Sequence, residues 1–594
     1  MCGIFGYVGK QDNAAQIVLE GLKLLEYRGY DSWGVAVKVG KTLDVDKHVG
    51  KIGQAVVKLP KSNLGIGHTR WATHGGVTRV NAHPHLDCTK SIAVVHNGIV
   101  ENFAEIKNAL IKKGHHFVSE TDTEVIAHLI EENIRGRSLP AGRQGFASSV
   151  RDAFNRLKGL SAIVVANAVS KEIIACKNGS PLVAGVGKNE LLVASDVSGI
   201  IKYTKKVIFL EDDQMVILGK GLKLIRLPKG EEIKPIFHTV NWKFEETQKG
   251  KYKHFLLKEI YEQPHVIENI AFNYEGEIKK LSSLIEHAFG TFMLGCGTAS
   301  YAALAGTYLF SRIAKKHVNF SIGSEFNYLE DYLKPKSLVI PISQSGETID
   351  VVEPVASAKK KGCTIAALVN VLGSTLYRQA DHKILLGAGP EKAVISTKSF
   401  IAMVSILLLT AFTFAKKQDK GKELLIKAIA NLKEILHSKY IEKIEKLSEE
   451  LKNKEHMYII GRGLSYATAL EVALKLKETS YIHSEGFAGG ELKHGVITLI
   501  EKGTPCIVIA PNDETYDDII SNAQQIKARG GFIIGVGPKS NAVFDRFLET
   551  HDIGDATMIP QVVIAQLLAY YLALKRGIAD PDKPRNLAKS VTVK

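Results

Sequence analysis

From about residue 285 the chain repeats itself. Gly295-Cys296-Gly297-Thr298-Ala299-Ser300-Tyr301-Ala302 is answered 166 positions later by Gly461-Arg462-Gly463-Leu464-Ser465-Tyr466-Ala467. The run Leu338-Val339-Ile340-Pro341-Ile342, which leads to Glu347, is answered by Cys506-Ile507-Val508-Ile509-Ala510, which leads to Glu514 at a spacing of 167. Lys361-Gly362 and the apolar run after it return as Arg529-Gly530 at a spacing of 168. Three matches in one order at nearly one spacing define a tandem duplication. Each copy alternates apolar runs of strand length with helical stretches, the pattern of a doubly wound parallel sheet. The expected copies are residues 285–430 and 431–580.

The copies diverge at one turn. The first has Ser343-Gln344-Ser345-Gly346-Glu347-Thr348 between strand and helix. Hydroxyls and the unpaired N–H groups of a helix start suit a phosphate there. The second has Pro511-Asn512-Asp513-Glu514-Thr515, acidic and without serines. Thr298 and Ser396-Thr397-Lys398 fall at neighbouring strand ends, which favours phosphate binding over a plain helix cap.

Residues 1–238 read differently. Short β-branched runs such as Ala162-Ile163-Val164-Val165-Ala166 and Met215-Val216-Ile217-Leu218 are broken by Gly, Asn and Asp, and predict antiparallel strands with few long helices. Residues 136–145 (GRSLPAGRQG) predict an exposed loop. Residues 239–284 read as a linker with a leading helix over 255–263, and 581–594 as a tail. A hydrophobic content of 45% over 594 residues excludes disorder. The net charge of +15 suggests a nucleic-acid partner, yet no aromatic–basic reading motif or basic arm accompanies it, so none is expected. Six scattered cysteines without a CxxC pair, and no leading signal peptide, predict a reducing cytoplasm. The apolar run over residues 400–415 is shorter than the roughly 20 residues of a membrane span and predicts a buried core helix, with no membrane partner.

The chain starts Met1-Cys2-Gly3-Ile4-Phe5-Gly6. Removal of Met1 would leave Cys2 carrying a thiol and a free α-amine, a nucleophile and its own base in one residue. Motifs follow in order: Tyr27-Arg28-Gly29-Tyr30-Asp31-Ser32, Gly67-His68-Thr69-Arg70-Trp71-Ala72-Thr73-His74-Gly75, His96-Asn97-Gly98-Ile99-Val100-Glu101-Asn102 and Ser119-Glu120-Thr121-Asp122-Thr123-Glu124. This set resembles the class II glutamine amidotransferases. With the SQSGET-bearing pair of sugar-isomerase (SIS) domains and the tail Pro584-Arg585-Asn586-Leu587-Ala588-Lys589-Ser590, the whole chain is similar to the isomerising glutamine–fructose-6-phosphate aminotransferases.

The resemblance implies an N-terminal-nucleophile αββα glutaminase sandwich followed by two tandem doubly wound SIS domains, an α/β and α+β multidomain chain. It implies that Cys2 attacks the glutamine amide and forms a thioester, while Asn97 and the Gly98 N–H stabilise the oxyanion. Arg70 would hold the glutamine α-carboxylate and Asp122 its α-ammonium, with Trp71, Thr73, His74 and Arg28 completing or closing the pocket. In the sugar half it implies phosphate and sugar binding by Thr298, Ser343, Gln344, Ser345, Thr348, Ser396, Lys475 and Ala588. Glu478 would carry the proton between C1 and C2, and His494, from a partner subunit, would assist ring opening. Lys589 would form a Schiff base with the open-chain ketose, which needs a neutral amine. By spacing alone, Glu471, Lys475 and Glu478 share one helix face, ordinarily a solvated charged one.

The substrates implied are L-glutamine and fructose 6-phosphate, with ammonia carried between the sites through a water-poor passage. The chain is expected to be a homodimer through the SIS domains and to use no metal and no pyridoxal phosphate. Ala299, Trp33, Gly76-Val77 and Val496 depart from the family pattern without touching the residues given catalytic roles. Two other readings remain at this level: another glutaminase-coupled sugar-phosphate amidotransferase, and a SIS-domain sugar-phosphate sensor without catalysis. The latter would be expected to lack Cys2, Glu478 or Lys589, and all three are present.

Overall fold

The computed structural model describes residues 2–136, 143–240 and 244–592. The chain forms two compact units: Met1–Gln248 with Ala588–Lys594, and Lys249–Leu587.

The first unit stacks an eight-stranded sheet on a seven-stranded one. The strands that matter for the site are β1 (Gly3–Gly9), β2 (Leu64–Arg70), β3 (Ile92–Gly98) and β4 (Ser161–Asn167). β1 lies antiparallel to β2 in the larger sheet, and β3 antiparallel to β4 in the smaller. Helix α1 (Ala14–Leu25) covers the larger sheet; α2 (Phe103–Ile111), α3 (Glu124–Arg135) and α4 (Arg143–Phe154) cover the smaller one. Successive strand residues point to opposite faces, and the sequence obeys this on both sheets. Phe5 and Tyr7 pack under α1, while Ile4 turns to the inter-sheet core. Val94 packs under the helices of the smaller sheet, and Val95 faces Ile66 and Val164 between the sheets. Four apolar layers in αββα order result, as the resemblance implied. The stretch 136–145 is helical from Arg143 rather than a loop throughout, and residues 137–142 lie outside the described residues.

The second unit holds two five-stranded parallel sheets. In the first, Thr291–Gly295 (β5) is flanked by Asn319–Ile322 and Leu338–Ser343 (β6), and the sheet continues through Thr364–Val369 to His382–Leu385. In the second, His456–Gly461 (β7) is flanked by His483–Ala488 and Pro505–Ile509, followed by Phe532–Gly537 and Arg546–Glu549. In both sheets the first strand lies second, between strands two and three, so the duplication read from the sequence is a duplication of topology. The match extends to backbone angles. Gly297 (φ 54°, ψ −128°) and Gly463 (φ 55°, ψ −131°) begin the equivalent helices Thr298–Leu309 (α5) and Leu464–Ser480 (α6). That left-handed conformation favours glycine.

Both copies share one apolar core. The segment read as linker and leading helix contributes to it through Phe255–Asn273 and Glu275–His287. The helix expected over 255–263 continues past Pro264 because the carbonyl that proline leaves without a helical partner, Ile260 O, accepts from Gln263 Nε2 at 3.1 Å. Lys398–Phe414, which contains most of the apolar run over 400–415, is almost wholly buried, as expected. Met558–Lys575 is apolar on all sides and long enough to cross a membrane; its most apolar 18-residue window, within Gly554–Lys575, is 89% buried inside the protein.

Candidate active sites

In the first unit, Cys2 sits at the start of β1. Gly3 N donates to Thr69 Oγ1 at 3.1 Å and Ile4 N to Ser195 Oγ at 3.0 Å, which pins the strand entrance. The Cys2 sulfur accepts a hydrogen bond from Trp71 N at 3.1 Å, and Asn97 Nδ2 donates to the Cys2 carbonyl at 2.9 Å. Nucleophile, Trp71 and Asn97 therefore converge although 95 residues separate Cys2 from Asn97. Gly98, with φ 132°, ends β3. A Cβ there would lie 2.1 Å from the Leu160 carbonyl oxygen, so the position admits only glycine without movement.

Arg70 is buried and folds the following loop around itself. It donates to the carbonyls of His74, Gly75 (3.0 Å) and Gly76 (3.1 Å). Burial lowers its pKa, against the opposing pull of Cys2, Asp122 and Asp31. Asp122 is buried at the approach to α3 and accepts from Val100 N at 2.8 Å. Trp71 meets Tyr30 edge-on at 5.5 Å, His74 meets Phe103 edge-on at 5.7 Å, and Thr73 is exposed. Arg28, expected to close the pocket, is itself buried and paired with Asp196 at 3.1 Å.

His68, given no role by the sequence, positions Asn97. Its Nε2 faces two acceptors, Asn97 Oδ1 at 3.1 Å and His96 O at 3.0 Å, so it carries the proton and turns Asn97 Nδ2 toward Cys2. Desolvation drives the His68 pKa down to about 3, which keeps the ring neutral. His83 stacks on it at 4.1 Å, and His83, His85 and His96 are likewise held neutral by burial. Histidine spacing in the sequence gives no sign that these rings meet.

In the second unit, the turn between β6 and Ile349–Lys360 is held by its own hydroxyls. Ser343 Oγ accepts from Gly346 N at 3.0 Å and pairs with Thr348 Oγ1 at 3.2 Å; Ser345 Oγ accepts from Glu347 N at 3.2 Å. The Gln344 carbonyl accepts from Asn370 N at 3.1 Å. Glu347 faces away, accepting from Thr375 N and Oγ1, and so fixes the turn from behind. No basic side chain belongs to the turn. It is a cradle of hydroxyls and N–H groups at a helix start, the arrangement that receives phosphate. At the equivalent turn of the second copy, Asp513 accepts from Thr515 N, and Arg312 pairs with Asp513, Glu514 and Asp555 at 2.9–3.1 Å. Carboxylates and their arginine already occupy that turn.

The charged face of α6 is buried, against the ordinary reading of its spacing. Lys475 Nζ donates to Glu478 Oε2 at 2.6 Å, Thr298 Oγ1 at 2.9 Å and Ser396 O at 3.2 Å, and Glu471 Oε1 lies 3.5 Å away. Two carboxylates around one ammonium leave an excess negative charge. Burial and the neighbouring Glu478 raise the Glu471 pKa to about 8, so Glu471 is protonated at neutral pH and the group is balanced. Glu478 is the member that reaches the surface, with 17% of its side chain exposed. Thr298 and Ser396 come from the first copy and Lys475 and Glu478 from the second. His494 is exposed and has no hydrogen bond to Glu478. Ala588 and Lys589 belong to the first unit, not to the unit that carries Glu478.

The fold and these sites define a glutamine amidotransferase joined to a pair of sugar-isomerase domains. Family models agree: residues 68–202 match a glutamine amidotransferase domain, and 285–412 and 450–576 each match the SIS domain. Over the full length of both chains the protein is 44% identical to glutamine–fructose-6-phosphate aminotransferase (isomerising) of Thermococcus kodakarensis and 42% identical to that of Aquifex aeolicus. A solved C-terminal domain of glucosamine-fructose-6-phosphate aminotransferase from Francisella tularensis is 34% identical, with a TM-score of 0.52 over 56% of this chain and 98% of that one. The chain belongs to the isomerising glutamine–fructose-6-phosphate aminotransferase family.

Proposed function

We propose that this protein transfers the amide nitrogen of glutamine to fructose 6-phosphate and isomerises the product to glucosamine 6-phosphate, releasing glutamate. The observation that carries the reading is the convergence of Cys2, Asn97 and the Trp71 N–H in one unit of a chain whose other unit holds a phosphate-type turn and Glu478.

Cys2 attacks the amide carbon of glutamine, its thiol proton passing to the α-amine exposed once Met1 is removed. Asn97 Nδ2 and Gly98 N–H stabilise the oxyanion, ammonia leaves with that proton, and water then hydrolyses the thioester to glutamate. Arg70 and Asp122 hold the two charged ends of the amino acid, with Trp71, Thr73, His74 and Arg28 around them.

In the sugar reaction, Thr298, Ser343, Gln344, Ser345, Thr348 and Ser396 receive the phosphate and hydroxyls. His494 of the partner subunit assists ring opening in a homodimer built through the SIS domains. The Lys589 amine condenses with the C2 carbonyl with loss of water, and ammonia displaces it to leave the imine. Glu478 takes a proton from C1 and returns it to C2, and loss of the C1 hydroxyl proton completes the amino aldose. Lys475 holds Glu478 in its orientation through the 2.6 Å hydrogen bond. This chemistry uses no metal and no pyridoxal phosphate, and it suits a cytoplasmic enzyme.

Product analysis with fructose 6-phosphate and either glutamine or ammonia tests the reading. Glucosamine 6-phosphate is expected from both donors, and from ammonia alone in Cys2→Ala; its absence with either donor in the unaltered protein overturns it. Borohydride should trap a sugar adduct that Lys589→Arg abolishes.

A further inference from the structure

We propose that Cys88, His115, His128 and Glu131 form a tetrahedral zinc site that staples three segments of the glutaminase unit. The sequence has no CxxC pair, and the family resemblance implied no metal. The fold collects them. Cys88 lies in the turn after the edge strand His85–Leu86, His115 follows α2, and His128 and Glu131 stand one turn apart on α3.

The donor atoms all lie within 4.8 Å of one another. Cys88 Sγ is 3.5 Å from His128 Nδ1 and 3.8 Å from His115 Nδ1; Glu131 Oε2 is 3.4 Å and 3.2 Å from the same two nitrogens. A tetrahedron with Zn–S about 2.3 Å and Zn–N and Zn–O about 2.0–2.1 Å has S–N edges of about 3.6 Å and N–O edges of about 3.3 Å. All four measured edges fall close to these values.

The surroundings point to the same ion. The second nitrogen of each ring faces a further carboxylate: His115 Nε2 lies 3.2 Å from Glu132 Oε2, and His128 Nε2 3.6 Å from Glu124 Oε1. That is how metal-bound imidazoles are oriented. A neutral ring has one N–H, so it cannot donate both to Glu131 and to its outer carboxylate. A cation at the centre lets each ring offer a lone pair through Nδ1 and its N–H through Nε2. His115, His128 and Glu131 are 3%, 1% and 4% exposed, and Cys88 closes the cluster on its exposed side. The Cys88 turn is fixed by Asp87, which accepts from Thr89 N at 3.2 Å and Ile92 N at 2.7 Å. A thiolate, two imidazoles and one carboxylate suit zinc rather than magnesium or calcium, and their two negative charges balance its two positive ones. Four protein ligands leave no position for a reacting water. The ion would hold α3 in place behind Asp122 and take no part in amino transfer.

Elemental analysis of the purified full chain should find about one zinc per chain, falling below a tenth of that in Cys88→Ser and unchanged in Cys363→Ser. Protein stripped with chelator and loaded with Co²⁺ should show a thiolate-to-cobalt charge-transfer band that Cys88→Ser removes. Failure to take up Co²⁺ with that band, or a band that survives Cys88→Ser, overturns the proposal. Amino-sugar synthesis that persists without the band leaves the activity reading intact.

Discussion

Lys475 Nζ donates to Thr298 Oγ1 at 2.9 Å, joining a helix of the second repeat to the first turn of a helix in the first. The bond places the ammonium between the protonated Glu471 and Glu478, and it pairs with and orients Glu478. Removing one member of a buried ion pair leaves an uncompensated charge and costs about 3–5 kcal/mol. Lys475→Met should therefore lower the denaturation midpoint markedly and stop ammonia-dependent synthesis. Lys475→Met with Glu478→Gln should recover most of the stability, because neither member of the ion pair is then left charged without its partner, while synthesis stays lost. Recovery of synthesis in that double variant would remove both residues from the proton transfer.

His68→Ala should release Asn97 from its fixed orientation. One misplaced oxyanion donor costs about 10²–10³ in turnover, so glutamine hydrolysis should fall by roughly that factor while ammonia-dependent synthesis is kept. Steady-state kinetics with both donors checks this; equal losses with both would mean a general folding defect.

Gly98→Ala tests the same donor from the backbone. Its Cβ cannot coexist with the Leu160 carbonyl 2.1 Å away, so β3 must shift and carry the Gly98 N–H with it. Glutamine hydrolysis should again fall about 100-fold, and the thermal midpoint should drop, read by the same kinetics and by calorimetry. Near-normal hydrolysis would remove Gly98 N–H from the oxyanion site.

Acid should weaken the first unit in a defined window. His68, His83, His85 and His96 are buried neutral, with folded pKa values below the ordinary value of about 6.5. Above that value neither state binds the protons, and the full stability is present. As pH falls below it the unfolded chain takes up protons that the folded rings refuse, so stability declines by about 1.4 kcal/mol per pH unit for each ring. Denaturation midpoints measured from pH 7.5 to 5 should fall on the acid side, and replacing His83 with Gln should flatten the slope. A midpoint independent of pH across that range would contradict it.

What the sequence determined by itself was whatever local patterning and order carry. The repeat around Gly297 and Gly463 is visible because backbone geometry at a strand-to-helix turn depends on a few adjacent residues. The alternation in β1 and β3 shows two-faced burial for the same reason, and the ordered motifs around Cys2, Arg70 and Asn97 name the amidotransferase half. Tertiary structure alone decided which charges are buried. Glu471, Lys475 and Glu478 have the spacing of a solvated face, and only the packing of α6 on α5 takes them out of water. It alone made His68 the partner of Asn97, and it alone brought Cys88 to His115, His128 and Glu131. Such contacts depend on chain segments far apart in sequence, and a burial-driven pKa shift or a ligand tetrahedron has no periodicity to read.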